Sequence, residues 1–164
     1  MHNCISLRLP PAAWSRPMPP LEDTFHRPTA HTQFLYQRTK KHHDWGTTDE
    51  SCWLKDLSFE DEFAVFEAGA DADVRDEDLH IYGATLDGDE LITLGTCMQD
   101  VAKFPRKRDG EVWHGYPVWP VSGAGSDRLR DQRNRPPKAV LDRMVSVNMI
   151  TAEVRKRLAK GDHN

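Results

Sequence analysis

The stretch Pro137–Gly161, PKAVLDRMVSVNMITAEVRKRLAKG, decides the reading of the fold. Val140, Met144 and Val147 recur at i, i+4 and i+7, and Leu141 and Val145 widen the stripe, which is the pattern of a helix with one buried face. Pro137 suits a first helical turn, where its missing N–H is no loss. Asn148-Met149-Ile150 breaks the periodicity. Thr151 can then cap a second helix whose narrow apolar face is Val154 and Leu158, with Gly161 placed to end it. No Glu or Gln follows three residues after Thr151, so the cap is not a capping box. An αα-hairpin over residues 137–160 is predicted.

Upstream the pattern turns to β. His80–Thr85 and Glu90–Leu94 are β-prone runs flanking Leu86-Asp87-Gly88-Asp89, and Asp-Gly between such runs is a hairpin signal because those residues tolerate positive φ. Asp109-Gly110 marks another turn, leading into the aromatic run Glu111–Trp119. Pro117 makes that run an interrupted or edge strand. Phe63–Phe66 reads two ways. Phe63 and Val65 alternate as on a strand, whereas Phe59, Phe63 and Phe66 are spaced as on a helix. The close approach of Gly69 and the acidic Asp71–Asp78 stretch favours a strand. Cys97–Phe104 reads as one or two helical turns stopped at Pro105. The expected fold class is α+β: a small, mainly antiparallel sheet followed by the C-terminal αα-hairpin. A single domain is expected over 48–164, with its sheet part at 48–121, a Gly- and Arg-rich loop at 122–136 and the helix pair at 137–160.

Residues 1–47 read differently. Five of the eleven prolines fall between Pro10 and Pro20 and Pro28 follows, which suits extended chain better than helix or inner strand. A disordered, proline-rich, basic arm is expected, with Phe34-Leu35-Tyr36 anchoring its end. Pro17-Met18-Pro19-Pro20 carries a PxxP spacing, a short and common pattern. Nowhere does an apolar run approach the ~20 residues that cross a bilayer, and the start of the chain lacks the apolar core of a secretory signal. Cys4, Cys52 and Cys97 are odd in number and widely spaced, fitting neither a disulfide framework nor a zinc site. A cytoplasmic location is the expectation, with no cofactor and no metal.

The formal net charge of −4 conceals three blocks. Residues 1–47 hold 6 Lys and Arg against 3 Asp and Glu, residues 48–100 hold 2 against 16, and residues 101–164 hold 14 against 7. An acidic centre thus lies between two basic ends. Either the blocks face one another and neutralise internally, or the basic part binds a polyanion. The first is the simpler reading.

Several residue groups are candidates for chemistry. In the αα-hairpin, Arg155, Lys156, Arg157 and Lys160 stand beside the second helix's apolar face, and Arg128, Arg130, Arg133 and Arg135 in the preceding loop extend a possible phosphate track for DNA or RNA. That helix offers no Asn or Gln to read bases, and cations in a last turn also complement the helix dipole. His114 is the candidate general acid or base, with Tyr116 to assist, because the aromatic run around it can wall a pocket. The simpler view makes it a satisfied strand histidine. His42-His43 are adjacent and so point apart, which argues against one shared ion. Cys97 reads as a buried structural thiol, and the carboxylates Asp71, Asp73, Asp76, Glu77 and Asp78 lack the spacing and glycine of a calcium loop. The leading expectation is a non-enzymatic interaction or regulatory module with segregated charged faces and a protein partner. A nucleic-acid-binding protein comes next, then a small hydrolase or nuclease centred on His114.

Overall fold

The computed structural model describes residues 27–43, 52–118 and 135–160. In chain order these form β1 (Arg27–Pro28), β2 (Leu35–Tyr36), a 3₁₀ turn (Lys40–His42), α1 (Phe59–Asp71), β3 (Ile81–Gly83), β4 (Leu86–Asp87), β5 (Glu90–Leu91), β6 (Val101–Phe104), β7 (Tyr116–Val118), α2 (Lys138–Ser146) and α3 (Ala152–Lys160). The architecture is α+β, with antiparallel pairing between the named strands, a parallel bridge between Tyr36 and Trp113, and a C-terminal helix pair. Among the described residues no helix is long and apolar enough to cross a membrane.

Phe63–Phe66 lies within helix α1, which corrects the strand expected there. The deciding signal is local. Ser58 and Asp61 form a reciprocal capping box, the Ser58 side chain accepting from the Asp61 N–H and the Asp61 carboxylate accepting from the Ser58 N–H. Glu60, Asp61 and Glu62 then place negative charge at the positive end of the helix dipole. Phe59, Phe63, Phe66 and Ala70 form its buried face.

The central sheet has the order β3-β6-β7. β6 replaces the helical turns expected before Pro105, because the chain reverses first: Met98 adopts φ +62° and the Gln99 carbonyl accepts from the N–H groups of Leu94 and Gly95. From there Val101–Phe104 runs extended between two partners. β7 takes the edge, where Pro117 lacks no ladder donor the sheet requires. The Asp87-Gly88 turn forms with Gly88 at φ +65°, but its strands are shorter than the flanking runs. The earlier run is drawn instead into β3, where Ile81 pairs with Phe104.

Strand alternation sorts the core into two layers. Ile81, Ala102 and Phe104 join the cluster containing Trp53, Phe63 and Phe66, on the α1 side. Tyr82, Val101 and Val118 join Val140, Met144, Val154 and Leu158 beneath α2 and α3. The helix pair forms as its periodicity predicts. The Thr151 hydroxyl accepts from the Val154 N–H at 3.1 Å, and Asn148 makes the break between the helices at φ +58°.

Residues 27–43, expected within the flexible arm, are packed into the domain. Tyr36 is fully buried among Phe59, Phe63, Phe66 and Phe104, and Arg38, His42 and His43 are buried too. The remainder of the expected arm, the PxxP segment and Cys4 lie outside the described residues, as does most of the 122–136 loop.

Helix α1 approaches β3 closely enough that only glycine fits at the crossing. A Cβ on Gly83 would stand 2.2 Å from the Val65 carbonyl oxygen, and one on Gly69 2.2 Å from that of Tyr82. Backbone cannot yield as a side-chain tip does. Gly83→Ala is therefore expected to destabilise by about 1–3 kcal/mol or more, read as a lowered urea midpoint. Gly88→Asn, in open space at a φ that Asn tolerates, should leave the midpoint nearly unchanged.

Candidate anion-binding cleft

A buried carboxylate fixes one wall of the candidate site. Glu62, on α1, has no exposed surface. Its Oε1 accepts from the Tyr36 hydroxyl, and its Oε2 accepts from Arg38 Nε at 2.9 Å and faces His43 Nε2 at 2.8 Å. Arg38 Nη2 also donates to the Leu57 carbonyl at 2.7 Å. His43 Nδ1 lies 2.6 Å from the Thr39 carbonyl, so both ring nitrogens face oxygen acceptors. Burial pushes the Glu62 pKa up, but the hydrogen bond and charge of His43, the Arg38 guanidinium and the Tyr36 hydroxyl outweigh it, and the net shift is downward. Burial first, then Glu62, holds the Tyr36 phenol well above its ordinary range.

This network seats the segment after β2 against the chain around Trp113. Leu35 O accepts from the Trp113 N–H at 2.7 Å, and Trp113 O accepts from the Gln37 N–H at 2.9 Å. Next to this seam opens a cleft of about 560 Å³. Phe34 and Trp113 give it an apolar wall, their rings stacked at 5.2 Å. Arg75, Arg106, Lys107 and Arg108 surround it, with Asp109 and Glu111 among them. Arg75 is braced on two sides: its guanidinium lies 5.4 Å over the Phe34 ring, and its Nε stands 2.8 Å from Asp73. The Arg106–Glu111 loop is held by its own bonds, the Arg106 N–H donating to His80 Nδ1 at 2.9 Å and the Arg108 N–H to Glu111 Oε2 at 3.0 Å. Opposite it, Asp76 organises the Arg75–His80 turn, accepting from the N–H groups of Asp78 and His80 and from the Tyr82 hydroxyl. The acidic run is therefore a folded turn, with Asp76 as its internal acceptor.

No protein-family model, curated protein or solved structure matches the chain.

The cleft's lining contains cations, carboxylates, one amide and apolar groups, but no histidine, cysteine, serine or threonine. Its four cations, Arg75, Arg106, Lys107 and Arg108, outnumber its two carboxylates, Asp109 and Glu111. His114 and Tyr116 follow Trp113 in the chain but are not among the residues lining the cleft. The His114 ring is half-buried and stacks at 6.4 Å on His42, whose ring is 4.9 Å from that of Tyr116. Burial, then the charges of Lys107 and Lys41, lower the His114 pKa below its ordinary 6.5, and burial raises that of Tyr116. The imidazole is thus neutral at neutral pH, and its charged neighbours are cations. Among the described residues no group of three or more His, Cys, Asp or Glu is placed to hold a metal ion.

The expected phosphate track falls apart into separate roles. Arg128, Arg130 and Arg133 lie outside the described residues, and Arg135 is exposed just before α2. Arg155 binds Asp142 of α2, with Nη2–Oδ1 at 2.7 Å, and Lys156 approaches Glu153 to 3.8 Å. Arg157 is half-buried and Lys160 exposed at the end of α3. The structure gathers a different set, Arg75 with Arg106–Arg108, which sequence reasoning passed over. A signal was present: Arg106-Lys107-Arg108 is a basic triplet directly before a turn, and Arg75 is the lone cation of the acidic run from Asp56 to Asp100.

Glu62 sets the acid sensitivity of this arrangement. Its folded pKa lies below the ordinary 4.5, so its stabilising contribution is complete above about pH 4.5 and is lost as pH falls through the lower folded value. Urea midpoints measured across acid pH should fall in this window for the native chain. Glu62→Gln should be weaker at neutral pH by about 3–5 kcal/mol, and its midpoint should lack that part of the acid dependence.

Proposed function

We propose that this protein is a non-enzymatic binding module of the cytoplasm whose basic, aromatic-walled cleft engages an acidic partner. One observation carries this reading: Arg75 and Arg106–Arg108, distant in sequence, converge on a single cleft whose lining has no nucleophile and no general base of the histidine type. Guanidinium groups present forked donors that match carboxylate and phosphate oxygens, and here three of them surround one concavity. The cations of α3 serve this reading less well, since Arg155 and Lys156 stand against carboxylates of their own helix pair. Asp109 and Glu111 temper the positive field, which favours a partner with donors as well as anionic groups.

Calorimetric titration with polyphosphate and with polyglutamate tests the proposal. At least one should bind at low salt and weaken steeply as salt rises, because association releases condensed counterions. The Arg106→Gln/Arg108→Gln pair should weaken binding by about tenfold or more while leaving the melting temperature unchanged, since both side chains stand on an exposed loop. Absence of binding by either polyanion at low salt would refute the reading.

A further inference from the structure

From the cleft and its surroundings we infer that the anion taken is single-stranded nucleic acid, with one unpaired base stacked on the Arg75 guanidinium and the backbone led out past Lys107 towards Lys41. The inference rests on the anion-binding reading above and narrows it to one ligand chemistry.

Four observations support it. The Arg75 side chain has Phe34 beneath it and Asp73 beside it, lines the cleft, and keeps 24% of its surface exposed. A guanidinium carried over an aromatic ring and still partly exposed is a planar group on which an unstacked base can lie. The 5.4 Å separation leaves no room for a base between Arg75 and Phe34, so a base would meet Arg75 from the cleft side. Secondly, a cleft of about 560 Å³ is in the range of pockets that hold small ligands, and one nucleotide is of that class. Thirdly, Asp109 and Glu111 line the same cleft. Asp and Glu side chains of an acidic peptide offer no donor to these carboxylates, whereas a nucleic acid offers the ring N–H of uracil or thymine, exocyclic amino groups on other bases and, in RNA, ribose hydroxyls.

The fourth observation is the continuation of positive charge beyond the cleft. Gln37 is bonded to Trp113, so the following residues run beside His114, and His42 stacks on that ring. Lys41 is exposed, Lys107 lines the cleft, and the charges of both act on His114. A strand with its base in the cleft would thus meet Arg106 and Lys107 there, with Lys41 adding positive charge beside His114.

Fluorescence anisotropy with labelled short homouridylate, homothymidylate and a matched duplex, alongside titration with polyphosphate and polyglutamate, tests this directly. The single strands should bind more tightly than polyphosphate of matched charge, and the duplex more weakly than either strand. Arg75→Lys keeps the charge and removes the planar face. It should weaken strand binding by about five- to tenfold and leave polyphosphate binding nearly unchanged. Lys41→Gln, at an exposed position, should lower the salt dependence of strand binding by about one phosphate contact. A preference for uridylate over thymidylate would mark RNA as the source, and the reverse DNA. Equal loss of strand and polyphosphate binding in Arg75→Lys, or polyglutamate binding as tightly as the strands, would overturn the nucleic-acid inference while the anion-binding reading stood. Failure of every polyanion to bind would overturn both.

Discussion

Glu62 is an ionised carboxylate with no exposed surface, and three donors from the N-terminal segment converge on its two oxygens. Moving such a charge out of water costs several kcal/mol unless the protein supplies equivalent partners. Tyr36, Arg38 and His43 are those partners, and they stand within eight residues of chain. Their positions are thereby fixed: Tyr36 is driven into the aromatic core of α1, and Arg38 spans from Glu62 to the Leu57 carbonyl at the entry to the helix. Removal of any one would leave charge or donors buried without compensation, which is why the segment cannot detach piecemeal.

The consequence reaches the cleft by a short chain of bonds. With Tyr36 and Arg38 seated on α1, the backbone between Leu35 and Gln37 brackets Trp113, and Trp113 stacks on Phe34. Phe34 in turn carries Arg75. The cleft wall is thus an outgrowth of the core rather than a feature of mobile loops. The two charged blocks are also joined here. The N-terminal basic block neutralises part of the acidic centre through Arg38, with His43 beside it on Glu62, and backbone N–H groups at Ala30 and Thr32 donate to Glu67 and Asp71 on the same helix. Internal pairing of opposite blocks therefore coexists with a residual basic cleft, and the two readings of the charge pattern are not exclusive.

The parts of the fold legible in the sequence are those specified by local chemistry. α2 and α3 announce themselves by an apolar stripe and a Thr cap, the turn at Gly88 by its need for positive φ, and the edge position of β7 by Pro117. Helix α1 was legible too, since Ser58 and Asp61 stand at capping-box spacing, but the acidic residues beyond Gly69 read as a loop closing a strand. β6 and the segment from Arg27 to His43 are different in kind. Val101–Phe104 is extended only because β3 and β7 flank it, and nothing within four residues dictates that. Arg38, His42 and His43 look like solvated charges until the helix carrying Glu62 is laid against them.

The same distinction separates the two basic sets. Cations of α3 are conspicuous in sequence because they are contiguous, yet the helix pair places them within reach of its own carboxylates, Glu153 one turn away on α3 and Asp142 across on α2. Arg75 is inconspicuous, a lone cation among carboxylates, yet its side chain stands beside Asp73 and over the Phe34 ring. A guanidinium with contacts already on two sides gives up less conformational freedom on meeting a ligand than a fully solvated one does. The net charge of −4 is therefore a poor guide to what this surface attracts. What matters is that four cations are gathered where apolar walls exclude part of the water and lower the local screening.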